Sequence, residues 1–174
     1  MAISQIIRPA GPRDLQPLLE LGRRTFIDTF AEHNDPEDFA VCLEEHYSLA
    51  RFQRDMADRR TRFFVVESNS SLLAYARVRR GRVPVCVGDP TALEIEKFYV
   101  DQPHIGRGIG ARLMTYCLRF AARHGHKTIF LSVWEHNARA IRFYEKWGYR
   151  KVGEHIFHVG SDPQIDWWLM RAVD

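Results

Sequence analysis

Ile105-Gly-Arg-Gly-Ile-Gly110 is the stretch whose reading decides the fold of this 174-residue chain. Upstream, Leu93-Glu-Ile-Glu-Lys-Phe-Tyr-Val100 has the composition and alternation of a strand. Downstream, Ile109, Leu113, Met114, Cys117, Leu118 and Ala121 recur at helical spacing and predict a helix over 108–124, followed by a β-rich run at 127–133. Strand, glycine turn, helix and strand in that order make a parallel βαβ unit. The glycines allow a sharp turn and close backbone approach to a ligand, and the amides that open the helix present a positive end to phosphate. In physical terms this is a pyrophosphate-binding turn; a merely tight connection is the competing reading. The spacing is not that of a dinucleotide fingerprint, and no Gly-Lys-Ser or Gly-Lys-Thr follows as a Walker-type loop requires.

Working outward, residues 3–8 read as a first strand, and Asp14 opens a helix striped with Leu15, Leu18, Leu19, Phe26 and Phe30, with Pro17 tolerated in its first turn. More helix is expected after Asp35-Pro36 and over 48–58. Strands at 62–67 and 72–79, joined through Ser-Asn-Ser-Ser, predict a hairpin. Residues 81–91 read as loop, 137–147 as a second helix closed by Gly148, and 149–159 and 164–171 as two last strands. The fold class is α/β: a mixed, mostly antiparallel central sheet with a parallel βαβ core, flanked by helices.

The length predicts one domain over residues 1–174. With 45% hydrophobic and 27% charged residues the chain can bury a core, which excludes disorder and collagen-like repeats. No apolar run approaches the roughly twenty residues of a membrane span, and Met1-Ala-Ile-Ser-Gln-Ile-Ile-Arg8 has no secretory pattern, so a cytoplasmic location is expected. Cys42, Cys86 and Cys117 are odd in number and far apart, which suits buried reduced thiols rather than a disulfide framework. The eight histidines lack zinc-ligand spacing, and no metal is expected.

The net charge of +3 is too small to imply nucleic acid, but it is unevenly spread. Between Arg24 and Arg51 there is no Lys or Arg, while Asp28, Glu32, Asp35, Glu37, Asp38, Glu44 and Glu45 supply seven carboxylates, leaving the remainder close to +10. This block is either a solvated helical face or a cradle for a cationic ligand opposite a basic region that holds an anionic one.

Val133-Trp-Glu-His-Asn137, leading into Ala138-Arg-Ala-Ile-Arg-Phe-Tyr-Glu-Lys-Trp-Gly-Tyr149, together with the glycine turn and its spacing, resembles the Gcn5-related N-acetyltransferase (GNAT) superfamily. More narrowly, Glu94-Ile-Glu-Lys-Phe-Tyr-Val100, Gly153-Glu-His-Ile-Phe157 and Gly160-Ser-Asp-Pro-Gln-Ile-Asp166 are similar to the PaiA-type polyamine (spermidine/spermine) acetyltransferases. Ile105 stands where the superfamily usually has Gln or Arg, and Ser161 and Ile165 replace Asp and Thr of the subgroup. The resemblance implies acetyl-CoA as cosubstrate without a metal, and transfer of acetyl to a primary amine by direct attack. Ile105, Gly106, Arg107, Gly108, Ile109 and Gly110 would hold the pyrophosphate, and Phe98, Tyr99 and Val100 would pair with the pantetheine arm through main-chain groups. Lys146 or Arg142 would meet the 3′-phosphate, and Asn137 would cap its helix, bind pantetheine amides, or both.

An amine nucleophile is mostly protonated at neutral pH, so the reaction benefits from a general base, directly or through water. Strand alternation puts Glu94 and Glu96 on one face together with Phe98 and Val100. The resemblance points to Glu94 as the base, with Glu96 as a substrate contact, and to Tyr144 as the acid that protonates the departing thiolate. Glu32, Glu44 and Glu45 are candidate contacts for a polycationic acceptor. The expected partner is a small-molecule amine, with neither nucleic acid nor membrane, and a homodimer is compatible with this reading. The alternatives are acetylation of a protein, peptide or other small amine, and a regulatory acetyl-CoA-binding protein without useful catalysis.

Overall fold

The computed structural model describes residues 5–173. Seven strands form one sheet in the order β1-β2-β3-β4-β5-β7-β6, where β1 is Ile6–Pro9, β2 Thr61–Ser68, β3 Ser71–Arg79, β4 Leu93–Val100, β5 Thr128–Trp134, β6 Arg150–Val159 and β7 Asp162–Ala172. Every neighbouring pair is antiparallel except the central β4–β5, which is parallel. The helices are α1 (Leu15–Phe30), α2 (Pro36–His46), α3 (Leu49–Ala57), α4 (Ile109–Arg123) and α5 (Ala138–Lys146). This is the expected mixed sheet with a parallel βαβ centre, in which α4 joins β4 to β5. The first strand is described from Ile6 and Gln5 stands before it; Ile3 and Ser4 of the expected strand lie outside the described residues.

Local signals explain most boundaries. Asp35 caps α2 by accepting from the amides of Glu37 and Asp38, and Pro36 occupies the first helical position, where no amide bond is lost. Ser48 caps α3 in the same way through Arg51. Asn69 and Ser70 both take positive φ to close the β2–β3 hairpin, as a two-residue turn demands.

Each face of the sheet carries its own core. On one face, Ile109, Leu113, Met114, Cys117 and Ala121 of α4 pack on Phe64, Val78, Leu93, Ile95, Ile129 and Leu131. On the other, Leu18, Leu21 and Phe26 of α1, Phe39 and Cys42 of α2 and Phe52 of α3 cover Phe63, Val65 and Tyr75. Cys42 and Cys117 are buried as expected, but Cys86 is exposed, because it sits in the loop between β3 and β4 rather than on a core element. Among the described residues no helix is long and apolar enough to cross a membrane.

Candidate active site

Two irregularities at the centre of the sheet create the site. The first is a bulge in β4. Arg77 of β3 is matched to Lys97 and Val78 to Ile95, which leaves Glu96 as an extra residue. The bulge reverses the alternation, so Leu93 and Ile95 before it and Phe98 and Val100 after it all face the α4 core, whereas Tyr99 joins the α1–α3 core and Lys97 lies over Tyr47 there. The expectation that Glu94 and Glu96 share a face with Phe98 and Val100 is therefore corrected: strict alternation holds only while the register is unbroken. Glu94 points away from Leu93 and Ile95, toward the α1–α3 side.

The second irregularity is a parting of the parallel pair. β4 and β5 are in register only at Leu93–Ile129, Glu94–Phe130 and Ile95–Leu131. Beyond these, residues 97–100 stay with β3 while Ser132, Val133 and Trp134 stay with β7, and a cleft of ≈ 590 Å³ opens between them. That volume lies in the range of small-molecule sites. The strand edges facing the gap carry backbone groups that an extended amide-bearing ligand can satisfy.

The glycine turn stands at one end of this cleft. Gly106 and Gly108 have φ of +81° and +78°, a region that suits glycine, and a Cβ on either would meet nothing within 4 Å. These two glycines are thus required by backbone conformation, and the surface they present is open. The first hydrogen bond anchored on this turn is from Arg112 N to Gly108 O, so the amides of Ile109, Gly110 and Ala111 precede the helical ladder. Ile105, Gly106, Gly108 and Gly110 line the cleft, and Arg107 is exposed beside them.

From the α4–α5 side the wall is Phe98, Val100, Phe143 and Tyr144, with Tyr144 ringed by Phe98, Phe143 and Tyr149. Burial raises the Tyr144 phenol above its ordinary value, so it keeps its proton throughout the neutral range. Asn137 caps α5 by accepting from Ala140 N at 3.2 Å and also lines the cleft. Lys146 and Arg142 are exposed on α5 away from the cleft lining, which instead includes Arg139 in the first turn of that helix.

From the α1–α3 side the wall carries three carboxylates: Glu94, Glu96 and Asp166. Glu96 is ion-paired to the buried Arg77 at 2.8 Å, with Arg79 at 3.7 Å, and Arg77 also pairs with Asp55. Among the described residues Glu94 makes no ion pair, although Arg79 lies across from it on β3 and Arg77 and Arg79 act on it at longer range. Burial, reinforced by the neighbouring Glu96 charge, pushes its carboxyl up to about 7. Asp166 accepts from Ser132 Oγ at 2.8 Å, and the same Oγ lies 2.8 Å from His155 Nε2. Lys97, 4.0 Å from the Tyr47 ring centroid, is lowered to about 7 by burial and by the Arg77 cation. Phe30, Trp134, Phe157 and Trp168 supply an aromatic surround.

Glu32, Glu44 and Glu45 are placed on the exterior. All three are exposed, Glu44 pairs with Arg23 at 2.7 Å, and none lines the cleft. The acidic segment instead lends the cleft Asn34, Phe39 and His46. Ser132, His155 and Asp166 are cleft residues to which the sequence assigned no role, although His155 and Asp166 stand in the Gly153–Phe157 and Gly160–Asp166 motifs. The available signal was a polar side chain, Ser132, interrupting the apolar run from Ile129 to Val133. Among the described residues no group of three or more His, Cys, Asp or Glu side chains is placed to hold a metal ion.

This geometry can be set beside known proteins. Residues 24–149 match the acetyltransferase (GNAT) family. The chain is 30% identical over 161 residues to an uncharacterised N-acetyltransferase in the pepI 3′ region of Lactobacillus delbrueckii subsp. lactis, covering 92% of this chain and 93% of that protein. A shorter match of 65 residues, 31% identical, covers 37% of this chain and 43% of a spermine/spermidine N(1)-acetyltransferase from Bacillus subtilis. The fold is similar to that of the PaiA N-acetyltransferase from Thermoplasma acidophilum, solved in complex with coenzyme A, with a TM-score of 0.75 at 19% identity over 98% of this chain and 99% of that one.

Proposed function

Because the chain belongs to the acetyltransferase (GNAT) family and is an acetyl-CoA-dependent N-acetyltransferase, we propose that its acceptor is a polyamine such as spermidine or spermine, and that Glu94 and Tyr144 carry the proton transfers. One observation supports this most: an unpaired carboxylate near pKa 7 and a protonated phenol line the same cleft from opposite faces of the sheet, next to the glycine turn. The amide groups of residues 106–110 bind the pyrophosphate at the helix opening. The free edge at Phe98, Tyr99 and Val100 pairs with the pantetheine arm and points the thioester toward the bulge.

At that point the amine nitrogen attacks the thioester carbonyl, the C–N bond forms and the C–S bond breaks. Glu94 takes the proton that the nitrogen loses, which a carboxylate near 7 does far better than one near 4. Tyr144 gives its proton to the departing sulfur. Glu96 is held by Arg77, so its carboxylate is not free to meet the substrate, and burial is the main reason that Glu94 is raised. Polyamine as the acceptor class is supported by the local likeness to the Bacillus subtilis enzyme and by a cleft wall of aromatic rings and unpaired carboxylates.

The test is free-thiol release from acetyl-CoA across spermidine, spermine, diamines, aminoglycosides and lysine peptides. Preferred turnover of polyamines is the expected result. Preference for peptides would move the acceptor class, and tight acetyl-CoA binding with no turnover on any amine would support a regulatory protein.

A further inference from the structure

Of the three carboxylates in the cleft, Glu96 is neutralised by arginine, and Glu94 is placed to react. That leaves Asp166. It lies on β7 directly across from Trp134 of β5, and register partners share a sheet face, as do alternate residues along a strand. Phe130, Ser132 and Trp134 therefore carry Glu94, the register partner of Phe130, and Asp166 onto the same acceptor face. Among the described residues Asp166 has no lysine or arginine ion pair; its Oδ2 is held by Ser132 Oγ, which in turn meets His155 Nε2. His155 is fixed by stacking on Trp168, with ring centroids 4.2 Å apart. Trp134, beside the carboxylate, is itself held against Phe30 and His33.

A half-buried carboxylate, oriented by a hydroxyl and flanked by an aromatic ring, is a ready site for an ammonium group, which gains from both charge and ring face. Among the described residues no lysine or arginine pairs with it, so an ammonium group on the ligand can supply that charge. The reacting nitrogen cannot be that cation. It must lose its charge beside Glu94, and Glu94 and Asp166 are four residues apart along β5, roughly 13 Å at the usual strand rise, and two strands apart across the sheet.

Resting on the acceptor reading above, we infer that Asp166, positioned by Ser132 and His155, is the specificity residue that docks a second ammonium of an extended acceptor while the first nitrogen reacts near Glu94. Selectivity for long diamines and polyamines over monoamines then resides in β7, at the end of the cleft remote from the chemistry. Binding energy of the second ammonium lowers KM and leaves the chemical step alone, since it is present before and during the transition state alike.

The experiment compares 1,8-diaminooctane with n-octylamine, which share a chain length and a reacting amine but differ in the distal charge. Asp166→Asn is the variant, because the amide oxygen keeps an acceptor for Ser132 Oγ. In the wild-type protein the diamine is expected to have a kcat/KM at least ~10-fold above that of the monoamine. In D166N the diamine is expected to lose roughly 10- to 100-fold in kcat/KM, through KM, with its kcat and all octylamine kinetics within about twofold. Equal losses on both amines would make Asp166 a general structural residue, and no loss on the diamine would remove it from recognition; either result overturns the inference while the transferase reading stands. Wild-type protein that turns over neither amine, nor spermidine, removes both.

Discussion

Replacing Glu94 with Gln separates the chemistry of the site from its cost to the fold. In the folded protein the carboxyl titrates at about 7 against an ordinary 4.5. Between those values the folded state holds a proton that the unfolded chain has released, so the contribution of Glu94 to stability falls as pH rises through this window and levels off above about 7. At about 1.4 kcal/mol per pH unit, the charged Glu94 destabilises the fold by roughly 3–4 kcal/mol at pH 8. Gln mimics the protonated acid at every pH. E94Q and wild type should therefore unfold alike near pH 4.5, and E94Q should be the more stable by roughly 3–4 kcal/mol at pH 8, about 8–14 °C in Tm for a chain of this size. The same variant should lose on the order of 10²-fold in turnover at neutral pH and lack the rise in kcat/KM through pH 7 that the wild type shows. The assay is thermal or urea unfolding of both proteins at pH 4.5 and 8, beside a pH profile of thiol release. An E94Q protein no more stable than wild type at pH 8 would refute the reasoning, since it would mean that the carboxylate is solvated rather than held unpaired in the cleft.

Tyr144→Phe keeps the ring against Phe98, Phe143 and Tyr149 but removes the proton; turnover should fall roughly 10²- to 10⁴-fold with acetyl-CoA affinity nearly unchanged, as rapid-mixing kinetics and calorimetry can show. Gly108→Val forces a β-branched residue to φ near +78° in open space, at a cost of roughly 1–2 kcal/mol to the turn, and should weaken coenzyme A binding, whereas Ile105→Ala should do little; equal small effects in a titration would reduce the turn to a connection. Neutralising Glu32, Glu44 and Glu45 together should change the KM for polyamines by less than about twofold near 0.15 M salt, because exposed charges outside the cleft are largely screened. A much larger rise would bring the acidic segment back into recognition.

Much of the framework is legible without coordinates. The helical stripe of Ile109, Leu113, Met114, Cys117 and Ala121 is the buried face of α4, and the glycine turn before it sits where strand and helix patterns require. Such features depend on neighbours two to four residues apart, which any reader of the sequence can count. The exterior position of Glu44 and Glu45 was legible too: α2 buries Phe39, Cys42 and Leu43, so the adjoining glutamates fall on the outer side. What only tertiary structure decided is the division of labour among like residues. Glu94 and Glu96 are two positions apart on one strand, yet a bulge and a buried arginine from β3 neutralise one and leave the other raised and unpaired. Asp166 acquires its setting from Ser132 and His155, which lie 34 and 11 positions away in sequence, through the pairing of three strands. Local pattern sets which face a residue prefers. Which charges meet, and how far water is excluded from them, depends on segments distant in sequence, and desolvation and pairing at that range raise one glutamate's carboxyl, neutralise its neighbour and fix an aspartate on a hydroxyl.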